Sequence, residues 1–139
     1  MKRRRDPHGQ GLVEFALAIT IFLTVFVGIV DMARAVFTFN GVSEAAREIV
    51  RETSVHPGTG AMGTSPESVA MVTTQRGLVQ GLSVTSYTCV DLAGDPITGT
   101  CKPGDWVRVS VQATFTPVMP LLTALGPIVL SSVSSAEIQ

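Results

Sequence analysis

Few side chains in this sequence have the type and spacing to do chemistry. Glu14 is the most conspicuous, because it is a carboxylate near the start of the apolar run LVEFALAITIFLTVFVGIV, residues 12–30. An ionisable group in such a run is costly and points to function by default, unless it sits at the level of lipid headgroups. Ion pairing with an amine is the chemistry it offers; acid–base catalysis would need partners. His8 and His56 fall on opposite sides of the run and cannot pair. Gly58-Thr-Gly60-Ala-Met-Gly63 fits G-x-G-x-x-G, but the dinucleotide motif needs a preceding strand in a βαβ unit, and here a helical pattern precedes it. Asp91, Asp95 and Asp105 share one loop region without EF-hand spacing, which reads as a solvated loop rather than a calcium site. No G-x-S-x-G or phosphate-binding loop is present. The reading is therefore of a non-enzyme with no metal site and no cofactor.

The apolar run is the element that must position Glu14. Residues 15–30 carry no charge, and Leu12–Val30 is 19 residues long. At 1.5 Å per residue that is roughly 28 Å, enough to cross a hydrocarbon core. Lys2-Arg3-Arg4-Arg5 precedes it; residues 1–9 carry a net +3 and the remainder −4. Basic residues stay cytoplasmic, so the N-terminus is expected inside and the C-terminus outside. The overall charge of −1 argues against nucleic-acid binding. A removed signal peptide is the competing explanation, since Ala33-Arg34-Ala35 resembles a cleavage site. Against it, the helical pattern does not stop there.

Beyond the run, Val42, Ala45, Ala46, Ile49 and Val50 form an i, i+3, i+4, i+7, i+8 stripe. Glu44–Arg47 and Glu48–Arg51 are oppositely charged i,i+3 pairs. His56-Pro57-Gly58 ends the pattern. The expectation is one helix of about 45 residues, apolar and then amphipathic. Ser65-Pro66-Glu67 starts a second helix, running to Gly81 as its C-terminal glycine. Strands are expected at Leu82–Cys89, at Trp106–Phe115, where Val107, Val109, Val111, Ala113 and Phe115 share a face, and at Ile128–Ile138. A Pro-bounded stretch, TPVMPLLTALGP, joins the last two. The fold class is α+β: a long N-terminal helix packed on a small antiparallel sheet. The divisions are a basic leader at 1–9, a transmembrane helix at 10–31, its amphipathic extension at 32–56 and a small extracytoplasmic domain at 57–139.

Cys89 and Cys101 are the only cysteines, and they flank turn signals. An even count in an oxidising compartment favours a disulfide, worth about 3 kcal/mol by loop entropy. Two free thiols are the alternative.

The segment His8-Gly9-Gln10-Gly11-Leu12-Val13-Glu14-Phe15 resembles the processing site of type IV prepilins, and more closely the TadE-like family of tight-adherence (Tad) pilus proteins. The resemblance rests on GQGLVEFAL at 9–17, Asp31-Met-Ala-Arg34, Phe37-Thr-Phe-Asn40 and Ser43-Glu-Ala-Ala-Arg47-Glu48. It implies a prepilin peptidase cut between Gly9 and Gln10. Glu14 and Phe15 then become the fifth and sixth residues of the mature chain. Glu14 would meet a neighbouring subunit's N-terminal amine and set register, the pairing offsetting the cost of each charge in lipid. The partners implied are the membrane, other pilin-like subunits, an inner-membrane assembly platform and the peptidase. The implied location is the bacterial inner membrane, single-pass, with incorporation into the pilus.

Ala16, Thr20, Thr24 and Gly28 recur every four residues, a small-residue ridge suited to close helix packing in lipid. Asp31 lies near the centre of that stripe and Glu14 roughly 90° away, at 100° per residue. Asp31 and Arg34 are spaced to pair with each other and need no further partner. The reading is a minor pilin or pseudopilin acting in assembly, adhesion or secretion. Its alternatives are a single-span anchored protein whose outer domain binds a ligand or surface independently, and a secreted effector freed at Ala35.

Overall fold

The computed structural model describes residues 7–58, 61–97, 101–124 and 126–139. The basic run Lys2–Arg5, Thr59 and Gly60 of the glycine motif, and the turn Thr98-Gly-Thr100 lie outside the described residues.

One uninterrupted helix, α1, covers Pro7–Val55. It contains no proline after its first residue, so no backbone donor is missing from its interior. The predicted stripe is its buried face: Val42, Ala45, Ala46, Ile49 and Val50. That face lies on a three-stranded antiparallel meander of β1 (Ser83–Val90), β2 (Trp106–Phe115) and β3 (Ile128–Glu137), with β2 in the middle. Val107, Val109, Val111, Ala113 and Phe115 alternate inward along β2, as the period of two dictates. Their partners on β3 are Ala136, Ser134, Ser132, Leu130 and Ile128. Serine and alanine there leave room for the helix, which packs across both β2 and β3.

A second helix, α2 (Pro66–Leu78), packs on α1. Its start is as expected: the Ser65 hydroxyl accepts from the Ser68 N–H at 3.1 Å. The buried Ser68 hydroxyl donates to the His56 carbonyl at 3.2 Å, stitching the start of α2 to the end of α1. Its end differs from the expected run to Gly81. The helix stops at Leu78, and Val79 is already extended. Burial decides this: leaving the helix lets Val79 and Leu82 both enter the core. Gly41 makes the contact possible, because a Cβ there would stand 2.9 Å from a Val79 methyl. Gly81, at φ +76, is used in the turn into β1 instead.

Of the charged pairs expected along α1, Glu44–Arg47 forms at 3.5 Å. The chain end is fastened to the helix, with the Gln139 N–H donating to the Ser54 carbonyl at 3.3 Å. Cys89 and Cys101 form a disulfide with Cα atoms 5.8 Å apart. It closes the β1–β2 connection against the core.

Candidate functional site

The glycine motif is no phosphate cradle. Helix α1 precedes it, and a Cβ at Gly63 (φ +73) would overlap the Tyr87 ring. Gly63 is therefore a packing glycine, and the burial that results pushes the Tyr87 hydroxyl pKa up, with Arg76 pulling it partly back. The loop aspartates are occupied by turns. Asp91 accepts from the Ala93 and Asp95 N–H groups, both at 2.9 Å, and Asp105 accepts from Lys102 N–H at 2.8 Å. Among the described residues no group of three potential ligands is placed to hold a metal.

The residues singled out at the start of the apolar run are all on α1 and all exposed. Gly9, Gln10, Glu14 and Phe15 are exposed, as is every other side chain between Gly9 and Phe26, Ile19 being the least exposed of the large apolar ones at 38%. The stretch is long and apolar enough to cross a membrane, and none of its most apolar window is covered by the rest of the chain. Along the small-residue ridge the hydroxyls are internally satisfied. Thr20 donates to the Ala16 carbonyl at 2.7 Å and Thr24 to the Thr20 carbonyl at 2.8 Å. Neither threonine hydroxyl is left as an unpaired donor on this exposed face. The ridge's last member is different, since a Cβ at Gly28 would stand 3.5 Å from the Met119 sulfur.

Asp31 is where the helix and the sheet meet, and the sequence reading of it needs correcting. It does pair with Arg34, Oδ1 to Nη1 at 2.9 Å. However, Asp31 is only 2% exposed, and its Oδ2 accepts from the Val118 and Met119 N–H groups at 2.8 and 2.6 Å. The expectation that the pair needs no partner is therefore wrong. A carboxylate buried with one cation still has lone pairs to satisfy, and two backbone donors satisfy them. Arg34 adds a contact to β2 by lying over the Phe115 ring, 5.5 Å from its centre. Next to this clamp, Phe37, Gly41, Leu78 and Phe115 line a cleft of about 670 Å³.

Spacing could not reveal the Asp31 clamp, because its donors are 87 and 88 residues away. The one available signal was a carboxylate placed on the same stripe as Gly28, facing the chain rather than water.

A family model described as TadE-like protein matches residues 9–51, from the glycine before Gln10 to the amphipathic end of α1. No curated protein and no solved structure matches the chain at a significant level.

Proposed function

Starting from the TadE-like match, which associates the chain with Tad pili, we propose that this protein is a minor pilin-like subunit of such a pilus. Residues 10–31 anchor it in the cytoplasmic membrane, N-terminus inside, and the sheet domain stands outside. A prepilin peptidase removes residues 1–9, and Glu14 meets the new amine of a neighbouring subunit. The protein acts by assembly and has no catalytic role.

The observation that carries this reading is the bareness of the matched helix. Its apolar half from Gly9 to Phe26 contributes nothing to the chain's own core. An all-round apolar helix must be covered by something, and lipid followed by other helices is the cover a pilin finds. The domain meanwhile has its own core and disulfide and needs nothing from that half.

Two variants separate processing from assembly. Gly9→Trp blocks close approach of the peptidase to the scissile backbone, so the chain should keep its leader by intact mass. Glu14→Ala should be cut normally and still insert, because it removes a charge that is costly unless paired. It should lose pilus assembly or surface adhesion. If neither variant is cut, Glu14 belongs to peptidase recognition rather than to register. If the wild-type chain begins at Met1 or Lys2, no amine exists at Gln10 and the register mechanism fails.

A further inference from the structure

The β2–β3 connection has a placement that the pilin reading does not explain. It contains a short helix, α3 (Pro120–Thr123), and sits against α1 at Gly28 and Asp31. Gly28 is inside the apolar run, two residues before its end at Val30. The run from Leu12 to Val30 is 19 residues, or roughly 28 Å, against a hydrocarbon core of roughly 30 Å. It has no length to spare. If it spans, Gly28 lies at the outer hydrocarbon boundary, and so does whatever touches it.

Two independent features of the connection suit that depth. The chain has no charged residue from Val109 to Ala136, and Val118 at the tip is 64% exposed. Five of its backbone donors are also satisfied within the chain. Val118 and Met119 donate to Asp31. The Leu122 and Thr123 N–H groups donate to the Met119 carbonyl at 2.9 and 3.0 Å, and Gly126 donates to the Thr123 carbonyl at 3.0 Å. Pro117, Pro120 and Pro127 have no donor to satisfy. Lipid-exposed irregular backbone does not occur within the hydrocarbon region, so the connection is confined to the headgroup–acyl boundary, where these pairings lower the cost of its polar groups.

We propose that the β2–β3 connection is a second membrane contact: it dips into the outer headgroup–acyl boundary beside the span, held there by Asp31. The occupant of its exposed apolar tip is lipid. The domain is then seated on the bilayer at two points rather than swinging on one helix. This rests on the membrane-spanning reading of residues 10–31.

The test uses the full chain in phosphatidylcholine vesicles whose acyl chains carry bromine either near the headgroup or near the mid-plane. Trp106, the single tryptophan, is replaced by phenylalanine, and one tryptophan is returned at Val118, Ala124, Phe22 or Leu92. All four sites are exposed, so an indole fits without repacking. Val118→Trp and Ala124→Trp should lose most of their emission to headgroup-proximal bromine. Phe22→Trp should lose most to mid-plane bromine, and Leu92→Trp should lose none to either. Quenching at Phe22→Trp with none at both loop sites overturns the proposal and leaves the span intact; a second copy or water then covers the loop. No quenching at Phe22→Trp defeats the span itself, and this proposal with it.

Discussion

Between Gly9 and Phe26 every side chain of α1 is exposed, whereas between Val42 and Ser54 the same helix buries Val42, Ala45, Ala46, Ile49, Val50, Thr53 and Ser54. No break in the backbone separates the two halves. The difference lies in the side chains. In the C-terminal half, charges occupy the positions between the buried stripe, so one face selects the sheet and the other selects water. In the N-terminal half, where Glu14 is the one charged residue between Gly9 and Phe26, apolar residues surround the axis, so no face is preferred and none is used by the chain itself. The comparison teaches that a single unbroken helix can carry two kinds of surface, one apolar all round and one amphipathic, with Asp31 and Arg34 at the join. Asp31 accepts from the β2–β3 connection while Arg34 reaches Phe115, so the join fixes how the domain sits on the helix.

The comparison breaks if truncations in the two halves have equal effects. Ile49, fully buried, is expected to lose about 2–5 kcal/mol of domain stability as Ile49→Ala. Leu17→Ala, at a site 62% exposed, should leave the domain's denaturation midpoint unchanged. Both are read by chemical denaturation of the full chain in detergent. Similar losses at both sites would mean that the bare half packs on the domain after all.

Removing the disulfide comes next. Cys89→Ser with Cys101→Ser opens a loop of sequence separation 12 and should cost about 3 kcal/mol. Reduction of the wild-type chain should shift its denaturation midpoint by the same amount, without changing how it partitions into membranes.

Asp31→Ala should have a smaller and more local effect. It leaves the Val118 and Met119 N–H groups without their acceptor, at about 1–3 kcal/mol. Hydrogen exchange should accelerate at those two amides and not at Val109. Asp31→Asn keeps an acceptor oxygen and should fall between the alanine variant and wild type. The smallest effect expected is at Arg47→Ala, whose pair with Glu44 is exposed on both sides; surface pairs of this kind contribute about 0.5 kcal/mol or less. A loss as large as that at Ile49 would show that Arg47 holds more than Glu44.

Periodicity made much of this fold legible. The stripe from Val42 to Val50 and the alternation of Val107 through Phe115 each declare a buried face, and both faces pack as expected. The limits of β2 match the sequence reading because apolar–polar alternation runs unbroken from Trp106 to Phe115. Where long-range packing overrides local pattern, the sequence was silent. The helix α2 ends early because Val79 is needed against Gly41, and nothing local to Val79 says so. The Asp31 clamp was hidden for the same reason. Arg34 at i+3 satisfied the local pattern, and the Val118 and Met119 donors are backbone groups that carry no sequence signature. Of the entrance residues, Glu14 was visible as a chemical anomaly and Gly9 through the resemblance. The structure leaves both exposed on a bare stretch of α1.

The central claim is that α1 crosses from one solvent to the other, with the sheet domain outside and still attached. A reporter active only outside the cytoplasm, fused after Gln139, tests this most directly when its activity is measured after separating membranes from the soluble fraction. The account predicts activity, and predicts it in the membrane fraction. An inactive fusion with an intact chain would contradict the topology. Activity released into the soluble fraction, on a chain that begins after Ala35, would show that the apolar half is a discarded signal and not a span.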